Sequence, residues 1–334
     1  MKKSTLPALL FFCVFITSCH IFLGADPDNN PKSIFNSIWN DFNETYPSFE
    51  LKGVNWDEIY EKYSPRIHAG MSDLSLFGAC SEMLNELDDP HVRLITPFGN
   101  SQPTQPAFSY EHIYSRLTNR GNTTSDRMFI YGIFLTRPDT GYIYINSFLS
   151  GNVGISNGMV QDWTKQIDLI IQSLAHTNRI ILDIRNNGGG IGANAQYIAS
   201  RFVSTQRNYM ITQTKNGPGR NDFTNPVTWS ISPSGTSYTK PITLLTNNQT
   251  ISAAERFTLA LLTQNHVTHV GETTKGAFSI MIVRPLVNGW KYTMSIQKVT
   301  DINGNNFEGA GITPEFITTS TDPASQLHFA LNLF

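Results

Sequence analysis

Arg179-Ile180-Ile181-Leu182-Asp183-Ile184-Arg185-Asn186-Asn187-Gly188-Gly189-Gly190 is the stretch on which the fold turns. Arg179 to Ile184 is an almost unbroken apolar run of strand length, the pattern of a strand covered on both faces of a sheet. Asparagines and three glycines end it in a turn, and Ala193 to Phe202 then carries a helical pattern. Glycine in such a turn permits positive φ and leaves backbone N–H groups unshielded. Amides at a helix start can hold an anion or an oxyanion. A second unit has the same order: a buried strand from Ile242 to Leu245, the loop Asn247-Asn248-Gln249-Thr250-Ile251-Ser252, and a helix from Ala253 to Leu262. The strand–helix alternation predicts an α/β core with central strands.

Working outward, Met128–Leu135 and Gly141–Phe148 read as strands and Val160–Leu174 as a helix. Toward the start, Ile34, Ile38, Trp39 and Phe42 keep helical spacing, and Trp56-Asp57 opens a second helix. Ser72-Asp73 can cap a third, which ends at Leu87-Asp88-Asp89-Pro90, since Pro90 cannot continue it. His91 to Ile95 reads as a short strand, and 98–127 is polar. The chain has 334 residues, 15% of them charged, and a net charge of −2. That balance gives no electrostatic footprint for nucleic acid. With 40% hydrophobic residues the chain can bury a core rather than remain disordered.

Ser252 sits at the second strand-to-helix turn. A nucleophile there is exposed, and the next residue's N–H faces the developing oxyanion. The same serine with Glu255 also fits a capping box. Gly188-x-Gly190-x-x-Ala193 fits a dinucleotide fingerprint only weakly, because the acidic residue about 20 positions on is missing.

Together the two units resemble the C-terminal processing (tail-specific) serine peptidases, whose core is a ClpP/crotonase-like α/β fold. The resemblance rests on Gly141–Phe148, on Leu182–Gly190, on Ser252-Ala253-Ala254-Glu255, on Val270–Gly276 and on Gly309-Ala310-Gly311-Ile312-Thr313-Pro314. It runs from about residue 33 to 320. Gly53-Val54-Asn55-Trp56 and Leu87–His91 resemble the tricorn-like, interphotoreceptor-retinoid-binding-protein-like branch. The larger branch uses a Ser–Lys dyad, but its lysine position is Ala277 here. The resemblance to the tricorn-like branch implies Ser252 as nucleophile, His91 as general base and acid, and Glu308 as the orienting acid. It also implies an oxyanion hole of Ala253 N–H with Gly189 N–H. That branch has a serine before its histidine where this chain has Pro90. A Ser252–Lys275 dyad is the mechanistic alternative, on the ground that a two-residue shift along a strand keeps the face. A non-catalytic peptide- or ligand-binding lipoprotein on the same fold is the alternative from another class. No metal or organic cofactor is expected, and the expected partner is a peptide or protein substrate.

Lys2 and Lys3 precede a nine-residue apolar run, Ala8–Ile16, too short for the ~20 residues of a spanning helix. This is the anatomy of an export signal. Ile16-Thr17-Ser18-Cys19 resembles a bacterial lipobox, which implies cleavage before Cys19 and a lipid on its thiol. Contact with a membrane would then be through the lipid anchor only, on the periplasmic or surface face of a bacterial envelope. Cys80, inside an apolar-periodic helix, reads as a buried small hydrophobe. The expected organisation is a signal peptide over 1–18, a tether over 19–32, a helical region over 33–95, a small β insert over 96–140 and the α/β peptidase core over 141–334. The insert's 45 positions are too few for a PDZ domain.

Overall fold

A computed structural model describes residues 28–101, 111–124, 127–149, 166–318 and 322–333. The expected signal peptide, the lipidated Cys19 and most of the tether lie outside the described residues. So does the first part of the expected helix Val160–Leu174.

The helical region opens with α1 (Pro31–Thr45), capped by Asn30, whose Oδ1 accepts the Ser33 N–H at 2.9 Å. Pro31 is suited to a first helical position because its missing N–H has no partner there in any case. Helix α1 thus begins within the stretch 19–32 expected as a tether. A short α2 (Phe49–Lys52) stops at Gly53, which is left-handed at φ 64°. Next come α3 (Trp56–Tyr63) and α4 (Asp73–Asn85). Trp39 and Trp56 each donate an indole N–H to the other's carbonyl at 3.0 Å, which fastens α1 to α3. Cys80 is fully buried on α4, and burial pushes its thiol up to about 12, so it is the inert residue expected.

After α4 the chain makes β1 (Arg93–Thr96) and β2 (Gly99–Asn100), then a short α5 (Glu111–Tyr114). The central sheet collects β3 (Asn122–Thr123), β4 (Phe129–Phe134), β5 (Arg137–Ile145) and, after α6 (Gln166–Leu174), β6 (Arg179–Asp183). Beyond β6 come α7 (Gly192–Ala199), β7 (Arg207–Thr214), β8 (Val227–Ile231), β9 (Ile242–Thr246) and α8 (Ala253–Leu261). The rest is β10 (Val267–Gly271), β11 (Met281–Pro285), β12 (Lys291–Ser295), β13 (Gln297–Thr300), β14 (Phe316–Ile317) and α9 (Pro323–Asn332).

Seven strands form the core sheet in the order β14-β10-β9-β6-β5-β4-β3, parallel from β14 to β5 and antiparallel beyond. The expected buried strands β6 and β9 are neighbours at its centre. Two differences follow from pairing. The boundary drawn at residue 140 falls inside β5, and the strands expected as part of an insert extend the core sheet. The other concerns β12, which pairs with β1, so that β11-β12-β1-β2 makes a separate sheet. Leu286, Trp290, Tyr292 and Met294 of that hairpin share one core with Phe35, Ile38, Phe42 and Trp56. The helical region is thus completed by a hairpin from the other end of the chain.

The two central turns are sewn together. Asn186 N–H donates to Asn247 Oδ1 at 2.9 Å, and Asn247 Nδ2 donates to Asn186 Oδ1 at 2.6 Å. Ile251 N–H donates to the Asn187 carbonyl at 3.1 Å. Asp183 and Arg185 form a fully buried ion pair, and Arg185 Nη1 reaches the Pro323 carbonyl at 2.7 Å and Gln326 Oε1 at 3.0 Å on α9. A guanidinium buried this deeply needs such a full set of partners.

Candidate active site

Ser252 stands at the start of α8 with φ 64° and ψ −122°. That backbone region favours glycine and costs another residue about 1–3 kcal/mol. Glu255, fully buried one turn into α8, holds the turn in place. Its carboxylate accepts Ser252 N–H at 3.0 Å, Gly276 N–H at 2.6 Å, Ala277 N–H at 2.8 Å and the Thr274 hydroxyl at 2.6 Å. Burial pushes this carboxyl up to about 7 against the pull of those hydrogen bonds. Beyond the cap seen in the sequence, Glu255 therefore ties the 274–277 segment to the serine turn.

Gly189 packs directly on that turn. A Cβ added to it would stand 2.8 Å from Ser252 Cβ and 2.9 Å from Ala253 N, so no side chain fits. Ala253 N–H has no hydrogen-bond partner among the described residues, as befits a first-turn helix donor. Gly189 N–H, the other expected oxyanion donor, points elsewhere: it donates to Asn187 Oδ1 at 2.9 Å. The N–H of Gly190, beside it, is unbonded among the described residues.

His91 lies in the turn between α4 and β1 and is 5% exposed. With Pro90 ahead of it, its backbone is fixed by other groups. Asp89 Oδ1 accepts the His91 N–H at 2.8 Å, and Thr293 donates to the His91 carbonyl at 2.6 Å. Asp89 Oδ2 takes the Tyr46 hydroxyl at 3.0 Å, which connects the turn to the end of α1. The imidazole Nδ1 is buried and has no partner among the described residues. Burial lowers the His91 pKa, with the Asp89 charge opposing, which favours the neutral ring.

Glu308 is 6% exposed in the loop after β13. Its Oε2 accepts Phe278 N–H at 2.8 Å and Ser279 N–H at 3.3 Å, while Oε1 is buried without a partner among the described residues. Burial, followed by the Asp89 charge, pushes this carboxyl up to about 8.

These residues share one neighbourhood without being hydrogen-bonded to each other. Asp89 acts electrostatically on both His91 and Glu308, and Arg256, on the helix that Ser252 opens, does the same. Phe278 gives its N–H to Glu308 and its carbonyl to Arg256 Nε at 2.8 Å. No hydrogen bond joins Ser252 to His91 or His91 to Glu308. Lys275 does not join them. β10 ends at Gly271, so the segment has left the sheet and the face-preserving argument for a dyad fails. The Lys275 side chain is exposed and its backbone N–H is bonded to the Thr250 carbonyl at 2.9 Å.

A model of peptidase family S41 matches residues 139–318. The chain belongs to this family of serine peptidases. A model of the Tricorn protease C1 domain matches residues 27–85, in keeping with the resemblance of the helical region to the tricorn-like branch. The carboxy-terminal processing protease CtpA of Bacillus subtilis is 28% identical over 135 residues, 40% of this chain and 27% of that protein. CtpB of the same organism is 24% identical over 184 residues, 54% of this chain and 34% of that protein. The chain thus spans about a third or less of the curated relatives it matches. A crystal structure of a candidate peptidase from Parabacteroides merdae aligns over 92% of this chain and 97% of that one, at a TM-score of 0.80 and 29% identity. The S41 match spans β6, β9 and both turns, so Ser252 and Glu308 lie within it, whereas His91 lies between the two matched regions.

Among the described residues no cluster of three or more His, Cys, Asp or Glu side chains could hold a metal ion. Nor is any described helix long and apolar enough to cross a membrane.

Proposed function

We propose that this chain hydrolyses peptide bonds through an acyl-enzyme on Ser252, with His91 as general base and then acid and Glu308 orienting the imidazole. The observation that carries this reading is a pair of buried atoms without a partner among the described residues, His91 Nδ1 and Glu308 Oε1, both within electrostatic reach of Asp89. Buried polar atoms nearly always have partners, and an exception calls for a functional explanation. A donor and an acceptor left open in one neighbourhood suit each other, and catalytic hydrogen bonds are often long before substrate arrives.

In the reaction, Ser252 Oγ attacks the scissile carbonyl carbon as its proton passes to His91 Nε2. The carbonyl oxygen becomes an oxyanion facing Ala253 N–H, with Gly190 N–H or a released Gly189 N–H as second donor. The C–N bond then breaks and the amine leaves with the proton from Nε2. Water repeats the sequence on the ester. The imidazolium formed in each step is stabilised by ionised Glu308.

The substrate is a peptide or protein. Export and lipid attachment at Cys19 belong to this proposal and rest on the first 19 residues alone. The test is hydrolysis of a quenched-fluorescence peptide mixture by the wild type and three variants. Ser252→Ala and His91→Ala should each lose about 10³-fold or more in turnover, while Lys275→Ala keeps it. Loss on Lys275→Ala with retention on His91→Ala would replace the triad by the dyad. Peptide binding without cleavage under every condition would favour the non-catalytic lipoprotein.

A further inference from the structure

A cavity of about 280 Å³ opens between the two helices that leave the two central turns. Small residues make the space: Ala195 and Ala199 on α7 face Ala260 on α8. Met210, Trp229 and Phe257 supply larger apolar walls. Gly192 and Ala193, just past the glycine turn, line one side, and Ile280, just past Phe278, lines another. The cavity therefore borders the segments that carry Gly189, Ser252 and the Glu308 contact. Its size suits one side chain.

Four polar residues interrupt the apolar wall. Gln196 and Gln297 are hydrogen-bonded to Ser230 and to Thr214 and Arg256, whereas Arg256 and Tyr209 carry donors that are not in use. Arg256 gives Nε and Nη2 to the Phe278 carbonyl at 2.8 and 2.6 Å, and Nη2 to Gln297 Oε1 at 3.0 Å. Among the described residues its Nη1 has no partner, and no carboxylate is within ion-pair distance of the guanidinium. Tyr209 is 5% exposed, and its hydroxyl makes no hydrogen bond among the described residues. Arg256 and Tyr209 are within electrostatic reach of each other, and burial pushes the phenol up to about 12, so it remains a donor. Glu308 and Glu255 act on this cation only through space, and a guanidinium facing a mostly apolar wall with no carboxylate in contact is costly unless a partner arrives.

We infer that this cavity is a substrate subsite for a carboxylate on an apolar stem, read by Arg256 Nη1 and the Tyr209 hydroxyl. The inference rests on the peptidase reading, since it takes the peptide at Ser252 to be the source of the carboxylate. Two sources share the chemistry: an acidic side chain and the free carboxylate at a peptide's end. Arg256 and Tyr209 act as specificity residues here. The role of Arg256 in holding Phe278, and through it Glu308, is separate and structural.

The test measures binding to the Ser252→Ala protein, so it does not depend on turnover. Capped and amidated peptides differing only in a central Glu, Gln or Leu are compared, together with a Leu peptide ending in a free carboxylate. Charged hydrogen bonds of this kind are expected to favour the carboxylate by about tenfold or more over Gln. Preference for the central Glu identifies the side-chain source, and preference for the free-ended peptide the terminal one. Tyr209→Phe should shrink the preference several-fold, and Arg256→Gln should abolish it. Because Arg256→Gln could disturb folding, the readout is the ratio of affinities within each variant, which general damage leaves unchanged. Leu bound as tightly as Glu, or a ratio unmoved in Tyr209→Phe and Arg256→Gln, overturns the inference. Covalent labelling of the wild type by a fluorophosphonate reports separately on the peptidase reading: a labelled enzyme with no carboxylate preference loses only the subsite.

Discussion

At the scale of the residue, the site departs from ordinary backbone and pairing rules at a few named atoms. Ser252 is held at φ 64°, where only glycine is comfortable. Ser252→Gly should therefore abolish turnover while raising stability by about 1 kcal/mol, read by denaturant titration. A variant no more stable than wild type would show that the turn is not strained. Asp89 acts electrostatically on the two titrating members of the site. It raises the pKa of both His91 and Glu308. Asp89→Asn keeps an acceptor for the His91 N–H but removes the charge, so both groups should titrate at lower pH. The rising limb of kcat against pH, set by ionisation of Glu308 from about 8, should move to lower pH in that variant. A limb that stays in place would separate Glu308 from catalysis. None of this was legible in the sequence. His91 and Glu308 emerged only through family resemblance, because nothing local in Asp89-Pro90-His91 or Phe307-Glu308-Gly309 reports what burial will do to them. Arg256 was missed too, although it is the lone basic residue of the Ala253–Leu262 run.

At the scale of the element, the two strand–turn–helix units were readable because each has an apolar run, turn chemistry and a helix start in sequence order. Their mutual clasp was not, since Asn186, Asn187 and Asn247 look like any polar loop until the strands β6 and β9 are placed side by side. The strands β7, β8, β11, β12 and β13 escaped the sequence reading for a related reason. β11 is largely exposed, with Met281 and Val283 open to solvent, and β7 mixes polar and apolar positions, so neither gives a clean period. Close approach at Gly189 yields a sharp expectation. Gly189→Ala would push a methyl to within 2.9 Å of Ala253 N. Turnover should fall about 10²-fold or more through the displaced oxyanion donor, with KM less affected. Unchanged kcat would mean the turn can move aside and does not shape the hole.

At the scale of the whole molecule, the site draws on parts of the chain far apart in sequence: the helical region through Tyr46 and Asp89, the core through Ser252, and the late hairpin through Thr293. β12 pairs with β1, and Thr293 on β12 holds the carbonyl of His91 in the turn just before β1. Burial of acids at the join sets the pH dependence of stability. Glu255 and Glu308 have folded pKa values near 7 and 8, above their ordinary 4.5. Their contribution is complete below about 4.5 and is lost as pH rises through those values. His269, lowered to about 4 by burial, acts in the opposite sense and weakens the fold as pH falls below 6.5. His91, also lowered by burial, acts like His269. Above about pH 6.5 both histidines are neutral whether folded or unfolded, so the midpoint of urea unfolding should decline between about pH 6.5 and 8 in the wild type, and decline less in Glu308→Gln. Identical slopes would place Glu308 in water rather than in the core. The most direct test of the central claim, that these distant parts build a nucleophile at Ser252, is fluorophosphonate labelling followed by intact-mass and peptide mapping. The expected result is one adduct on Ser252 in the wild type, strongly slowed in His91→Ala and absent in Ser252→Ala. No adduct on the folded wild type, or an adduct that persists in Ser252→Ala, would contradict it.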